Sequence, residues 1–588
     1  MGGAVAWRER PFDPAAVAAL ERAGVSPTLA RLLASRGIVP EGLDFFFEPS
    51  LRNLASAECL PGVAEAVAVI APFVRTGRKI VVFGDYDADG VCASAILVST
   101  LKKLGGNADA FIPERFGEGY GMTGASLERL HREHPDLALV ITVDNGITAA
   151  EEVAQLRAEG ITVVVTDHHL PPAPLTPEGE SPIPQADALI DPKVHTTPGY
   201  EDLCGAGVAF FLANALVGIL RREAEAKGLL EENERLAGPL IVLAGLATVA
   251  DLMPLRGQNR ILVAAAVASF RACAPIGLRE LLDHAARKAD TLVARDFAFQ
   301  LAPRLNAAGR MASARLAYDL LMTGDREAAR LLAVEIDAKN AERKTEEARM
   351  DKEARAQVPS FEGLEAVVVA ESRRPEGAPH WHSGIAGIVA SRLLEDAHMP
   401  VAVVVGDHGS CRAPEGYNVR EALDAASETL LRYGGHAAAG GFTVKEGRLD
   451  DFQRLFTAAC AAHKAVAQDA AAISFDGWIE RNELTMALVE DIRRLEPFGE
   501  ANPEPVFGLK GVYFSDARPI GMDGRHASFS FAGRNVPRAV WWGHGADAEI
   551  IRAHAAMRYD VLFTLTSSDY GTELPHVELR IVAIRASV

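Results

Sequence analysis

Val81-Val82-Phe83-Gly84-Asp85-Tyr86-Asp87-Ala88-Asp89-Gly90 reads as the end of a buried strand, a break, and the entry to a helix. The strand is expected over 80–83, Gly84 interrupts it, and Gly90 opens a helix over 91–103. Between them, Asp85, Asp87 and Asp89 stand at every second position. On an extended segment, residues two apart point the same way, so the three carboxylates would aim at one point if the tip stays extended. Three like charges that close repel one another unless a cation sits among them. Strand tips in open α/β sheets are where ligands bind, and hard oxygen donors suit Mg²⁺ or Mn²⁺. The competing reading is a solvated, Asp-rich turn that only caps the helix.

Outward from this stretch, strands are expected at 80–83, 108–112, 137–143, 162–166 and 188–190, with helices at 91–103, 125–133 and 149–158 between them. Short continuous Val/Ile runs alternating with helices imply a parallel sheet covered on both faces. Three further strands also end in a carboxylate: Asp144-Asn145-Gly146, Asp167-His168-His169 and Asp191-Pro192. A lone Asp there is more often an N-cap, and a lone His a structural residue. Four such ends on one sheet edge, one with paired histidines, suggest a binuclear metal site.

The totals set bounds. A chain of 588 residues is too long for one core, so several domains are expected. Six scattered cysteines without a C-x-x-C pair fit a reducing compartment. The N-terminus lacks a basic-then-apolar signal pattern, and the longest apolar run, 236–250, is too short to span a bilayer. The expectation is a soluble cytoplasmic protein without a membrane partner. A net charge of −19 gives no general attraction to phosphates, so any nucleic-acid track must be a local basic groove.

The rest of the chain changes texture twice. Residues 1–45 hold amphipathic helical patterns at 14–23 and 26–35, the second with Ser26 and Pro27 at N-cap and N1. Residues 255–350 read as helical, and 325–357 as one long exposed helix. Within them, Pro303 to Met311 carries Arg304, Asn306 and Arg310, donors suited to phosphate oxygens or merely surface groups of a connector. A second α/β unit follows: strands at 366–370 and 401–405, a Gly-rich helix entry from 382 to about 395, a helix over 419–431 and a Gly-rich loop at 434–441 containing His436. Short strands at 506–509, 527–531, 539–542, 559–566 and 576–583 suggest a small β-barrel, with Phe531, Trp541 and Trp542 in its core.

Together, Asp85-Tyr86-Asp87-Ala88-Asp89-Gly90, Asp144-Asn145-Gly146, Asp167-His168-His169 and Asp251-Leu252-Met253-Pro254 resemble successive motifs of the DHH phosphoesterase superfamily. Three more stretches, 303–311, 434–441 and 497–507, are most similar to its RecJ-type single-strand-specific 5′ exonucleases. The resemblance implies an α/β fold: a parallel-sheet DHH domain, a long helical connector, a smaller α/β DHHA1 domain and a C-terminal OB-like β-barrel. The implied segments are 1–45, 46–270, 271–358, 359–464 and 465–588. Carried over by motif, Asp87, Asp89, Asp144, His168 and Asp251 would hold two divalent ions, Mn²⁺ or Mg²⁺, with Asp144 bridging. Asp167 would orient His168, His169 would face the phosphate, and Asp85 would be an extra ligand or a partner behind the ligands. Ser410, Arg412 and His436 would hold the 5′-terminal phosphate, and Arg304, Asn306 and Arg310 would contact DNA. Phe83 stands where several members carry a histidine ligand, so one ion has a ligand fewer, or Asp85 or water fills the gap.

The implied activity is metal-dependent hydrolysis of single-stranded DNA from the 5′ end to mononucleotides in repair and recombination. A helicase and a single-strand-binding protein are the partner classes it suggests. Three rivals share part of the pattern. A DHH phosphodiesterase for very short oligonucleotides needs neither the barrel nor the 303–311 stretch. A non-catalytic DNA-binding scaffold draws on Phe83, and a pyrophosphatase leaves the length unexplained.

Overall fold

The computed structural model describes residues 6–115, 117–119, 121–172, 181–231, 236–462, 472–533, 537–568 and 575–587. They divide into two units: Ala55–Met253 with Gly257–Ala471, and Met1–Leu54 with Pro254–Arg256 and Ala472–Val588. The expected boundary at 464/465 lies outside the described residues.

The larger unit is built on a five-stranded sheet. Its strands run in the spatial order Asn107–Phe111, Lys79–Phe83, Leu137–Val143, Thr162–Thr166, Ala188–Ile190, every pair parallel. Ile80, Val81, Val82, Leu139, Val140, Ile141, Val163 and Val164 are all fully buried, as a sheet covered by helices on both faces requires. In chain order this is 2-1-3-4-5, so the strand order reverses between Lys79–Phe83 and Leu137–Val143. Such a reversal opens a crevice at the carboxyl ends of the two strands. Phe83 is buried and stacks on Phe111 at 5.1 Å, so its position serves the core.

The helix after the first strand differs from expectation. It spans Ala88–Lys103, three residues earlier than the sequence predicts, and Asp87 is its N-cap. The tip is therefore not extended throughout, and Asp89 lies in the first helical turn. By length and composition, the 22-residue helix Gly205–Ala226 is the one described helix able to cross a membrane. It packs on helices Ala88–Lys103, Val63–Thr76 and Ala237–Ala250.

The long helix is Arg326–Gln357, with Asp325 capping it through Ala328 N–H at 2.7 Å. Beyond it, a second sheet runs in the order Leu430–Gly435, Ala439–Val444, His408–Arg412, Val401–Val405, Val367–Ala370. Two expectations fail here. The helix from Val419 ends at Ala425, and the 434–441 loop is the tip of a hairpin between the first two of these strands. Gly435, at φ 137°, lets the chain reverse tightly.

In the smaller unit, strand Ala6–Glu9 pairs in parallel with Ala472–Phe475, where the sequence suggested only helices. Helices Pro14–Arg22 and Pro27–Ala34 follow. Ser26 occupies the N-cap, but its hydroxyl donates to Asp491 at 3.1 Å instead of accepting from the helix. Seven strands form one sheet, in the order Gly477–Trp478, Phe507–Val512, Tyr559–Ser568, His576–Ala586, Ala539–Trp541, His526–Phe531, Phe514–Ile520. Its core includes Phe507, Phe529, Phe531 and Phe563, with Trp541 packed against it. Trp542 is not core; it is 56% exposed.

Candidate functional site

The loop after Lys79–Phe83 is shaped by close backbone packing. A Cβ on Gly90 would lie 2.5 Å from the Asp85 nitrogen and 2.6 Å from its Cβ, so only glycine lets Asp85 fold in against the helix. Asp87 Oδ1 accepts from the N–H groups of Asp89 at 2.9 Å and Gly90 at 3.1 Å. The capping reading of this loop is therefore correct for Asp87, and the convergence reading holds as well. One oxygen each from Asp85, Asp87 and Asp144 lie within 4.8 Å of one another.

Asp144 follows its strand in the left-handed region, at φ 62°, a conformation that Asp tolerates better than most residues. Asn145 pins the turn by donating its amide N–H to Val143 O at 2.9 Å and Phe83 O at 3.2 Å. Helix Gly205–Ala226 begins directly against Asp144: a Cβ on Gly205 would lie 2.5 Å from the Asp144 Cβ. The same helix start holds Asp89, whose two oxygens accept from Gly205 N–H at 2.7 Å and Ala206 N–H at 2.8 Å. Neither Gly205 nor Ala206 was singled out from sequence. Their signal was Cys204-Gly205-Ala206-Gly207, small residues opening a long apolar helix.

His168 reaches in from the end of Thr162–Thr166. Its Nε2 lies 3.0 Å from Asp144 Oδ1, 3.6 Å from Asp251 Oδ2 and 3.8 Å from Asp89 Oδ2. Asp251 arrives as the C-cap of helix Ala237–Ala250. Three buried polar atoms here, His168 Nε2, Asp251 Oδ2 and Asp85 Oδ1, have no hydrogen-bond partner. A buried donor or acceptor left unpaired is costly, so their convergence needs an additional group. Imidazole nitrogen with carboxylate oxygens is a donor set that divalent cations take.

The charges agree with this. Burial pushes Asp144 well above the ordinary carboxylate range, and Asp89, Asp87, Asp85 and Asp251 push the same way. Burial, then Asp87, raises Asp85 likewise. Asp251 is pushed up to about 8, by burial and then by Asp89 and Asp87. Burial also raises Asp89, against the pull of His168, and lowers His168. Without a cation this cluster is held partly protonated; a bound cation reverses that preference.

Asp167 does not orient the ring of His168 as expected. Its Oδ1 contacts His169 Nδ1 at 2.7 Å, and it accepts from the backbone N–H of His168 at 2.7 Å. Its Oδ2 accepts from Ile147 N–H at 2.9 Å, tying down the loop that carries Asp144. Burial acts to lower His169, but the Asp167 hydrogen bond raises it to about 9. His169 is thus biased toward its protonated form beside the cluster. Asp191 is buried nearby and pushed up to about 7 by that burial.

The predicted substrate donors separate into two groups. Arg304 is buried and paired with Asp337, Nε to Oδ1 at 2.8 Å, while its Nη1 donates to Gln300 O. Asn306 accepts from Ala88 N–H at 2.8 Å and so fixes the Asp87 loop. The Arg304 guanidinium and the Asn306 oxygen are thus engaged in holding the fold. Arg310 donates to Gly384 O at 3.1 Å and is lowered to about 10 by burial and then by Arg115. Arg412 is lowered by burial, and Arg115 adds to that. Arg412 donates to Ser410 Oγ at 3.0 Å, and a Cβ on Gly387 would lie 2.7 Å from Arg412 Nη2. Arg115, which sequence reasoning missed, lies with its guanidinium 5.0 Å from the Tyr86 ring centre. Arg115 thus repels both Arg310 and Arg412 in a half-buried place, an arrangement that favours an anion. It is a local concentration of positive charge on an acidic chain. His436 is exposed in the hairpin turn, whose register places Ala439 opposite Arg412.

Residues 79–242 match the DHH family, N-terminal domain, residues 365–462 the DHHA1 domain, and residues 475–581 the RecJ OB domain. The single-stranded-DNA-specific exonuclease RecJ of Dickeya dadantii is 37% identical over 500 residues, 82% of each chain. The crystal structure of Thermus thermophilus RecJ in complex with Mn²⁺ superposes with a TM-score of 0.79 at 31% identity, covering 100% of this chain and 80% of that one. Its complex with Mg²⁺ gives 0.76 at 30% identity, covering 99% and 78%. With its parallel sheet, clustered carboxylates and histidines and all three matched domains, this chain belongs to the RecJ family of single-stranded-DNA-specific exonucleases.

Proposed function

We propose that the protein is a metal-dependent exonuclease that hydrolyses single-stranded DNA from its 5′ end to mononucleotides. The observation that carries this is the convergence of unpaired His168 Nε2, Asp251 Oδ2 and Asp85 Oδ1 on buried carboxylates at the sheet's switch point. Asp89, His168 and Asp251 form one donor set, and Asp85, Asp87 and Asp144 another, with Asp144 shared between them through His168. These residues would hold two ions, Mn²⁺ or Mg²⁺. When bound, such ions supply an activated water and neutralise charge developing on the phosphate.

The chain's own groups do the rest. Gly205 and Ala206 N–H fix the Asp89 carboxylate, and Asn306 fixes the loop of Asp87. His169, kept protonated by Asp167, donates to a non-bridging phosphate oxygen. Arg115, Arg310, Arg412 and Ser410, with His436 at the rim, receive the 5′-terminal phosphate and set the polarity.

We further assign a helicase and a single-strand-binding protein as partner classes, a cytoplasmic location, and the segment layout 1–45, 46–270, 271–358, 359–464 and 465–588. The test uses labelled single strands with either end blocked, with duplex and chelator controls. Release of labelled mononucleotides from a free 5′ end, only with Mn²⁺ or Mg²⁺, is expected. Degradation from a free 3′ end alone would refute the polarity, and activity in chelator would refute the metal role.

A further inference from the structure

Helix Ala237–Ala250 closes in a way that its sequence does not explain. Leu252 N–H donates to Val249 O at 3.3 Å, and Met253 N–H donates to Thr248 O at 3.1 Å. This is a Schellman closure, and its turning residue takes a left-handed backbone that glycine supplies at no steric cost. Here that residue is Leu252, at φ 55°. Its side chain is not buried in compensation; it is 71% exposed. Backbone conformation and core packing both argue against leucine at this position. Strain retained without a packing return is found at functional sites. The neighbouring residue is Asp251, whose Oδ2 lies 3.6 Å from His168 Nε2.

We infer that Leu252 is an apolar ledge at the rim of the metal cluster, on which a nucleobase of the strand's 5′-terminal nucleotides rests. A branched hydrocarbon offers nothing to a phosphate, but it covers the flat apolar face of a base and removes it from water. The ledge would position the strand over the cluster, a role in binding and not in bond breaking. This inference rests on the exonuclease reading.

The test compares wild type, Leu252→Gly and Leu252→Met on a normal single strand and on strands with one abasic residue at the first or second position from the 5′ end. Mn²⁺ affinity and melting temperature are measured alongside. Leu252→Gly is expected to melt no lower than wild type and to bind Mn²⁺ equally well. Its kcat/KM on the normal strand should fall about tenfold, mostly through KM, the order expected when one leucine loses an apolar contact. Leu252→Met should restore most of this. On one of the two abasic strands, wild type and Leu252→Gly should become nearly equal. Equal activity on the normal strand, an undiminished difference on both abasic strands, or weakened Mn²⁺ binding would each overturn the ledge. A wild-type protein inactive on every single strand would instead overturn the exonuclease reading, and the ledge with it.

Discussion

The carboxylate of Asp89 accepts the first backbone N–H of the helix that begins at Gly205, at 2.7 Å, and the next one from Ala206 at 2.8 Å. Two helix starts therefore share one carboxylate, because Asp89 itself stands in the first turn of Ala88–Lys103. Free N–H groups and the helix dipole favour an anion at that point. This offsets part of the cost of burying Asp89 and aims its oxygens at His168 and Asp251.

Gly205 is consequently as necessary as the residues it holds. Gly205→Ala would set a methyl group 2.5 Å from the Asp144 Cβ and displace Asp144, Asp89 or both. A shift near 1 Å in such a site costs roughly 100-fold in kcat/KM. Mn²⁺ titration by calorimetry should show weakened binding. Gly207→Ala, whose nearest neighbour is the flexible Leu203 Cδ2 at 3.2 Å, is the milder comparison. Full activity and full Mn²⁺ affinity in Gly205→Ala would contradict this account of Asp89 and Asp144.

Stability of the metal-free protein should fall as pH rises. Asp85, Asp89, Asp144 and Asp251 all have raised pKa values in the fold, Asp251 to about 8. Between the ordinary carboxylate value near roughly 4 and that value, the folded chain binds more protons than the unfolded one. Stability is full below this window and is lost through it. His169, raised to about 9, adds a loss in the same direction above its ordinary range. Asp167 and His168, both held low, act oppositely, but only below the ordinary imidazole value of about 6.5. Melting temperature without metal should drop by about several degrees from pH 6 to 9. Saturating Mn²⁺, which binds the ionised carboxylates, should shrink or reverse the drop. A metal-free melting temperature that climbs over this range would refute the cluster's electrostatics.

Arg304 and Arg412 should separate cleanly. Arg304→Ala removes a partner from Asp337 and is expected to cost about 1–3 kcal/mol of stability, leaving kcat/KM within a few-fold. Arg412→Ala should leave melting nearly unchanged but reduce the preference for a 5′-phosphate over a 5′-hydroxyl strand by about 10- to 100-fold, the scale of a lost charged hydrogen bond. Denaturation curves and paired kinetics on the two strands check both. A reversed pattern would exchange their roles.

Asn306→Ala should slow turnover by about tenfold, because the N–H of Ala88 loses its acceptor and the Asp87 loop loosens. Asn306→Asp keeps an acceptor oxygen and should recover part of the rate. Single-turnover kinetics at saturating strand measure this; an unaffected rate in Asn306→Ala would mean that the loop is held by other means.

Much of this was legible in the chain because the strands are continuous apolar runs that end in carboxylates. Leu137–Val143, Thr162–Thr166, Ala188–Ile190 and Val401–Val405 fall where the sequence puts them. Asp87, Asp89, Asp144, His168 and Asp251 do meet, since one sheet edge collects the ends of successive strands. What stayed hidden depends on contacts distant in sequence. Arg304 and Asn306 look alike as polar residues of one stretch, yet Arg304 donates to Asp337 and the Asn306 oxygen accepts from Ala88 N–H. Arg115 carries no motif of its own, and only the fold brings it to Arg310 and Arg412. Asp167 serves His169 and not the ring of His168, a choice set by backbone geometry within three consecutive residues. The strand Ala6–Glu9 was missed because it forms only by pairing with residues more than 460 positions away, Ala472–Phe475.

The most direct measurement counts Mn²⁺ bound per chain, by equilibrium dialysis, in wild type and Asp144→Asn, with single-strand hydrolysis assayed on the same samples. Two ions in wild type are predicted, with loss of at least one ion and of nearly all nuclease activity in the variant. A variant that binds as much Mn²⁺ as wild type, or that still degrades single strands at the wild-type rate, would contradict the claim that these carboxylates and histidines form the hydrolytic metal centre.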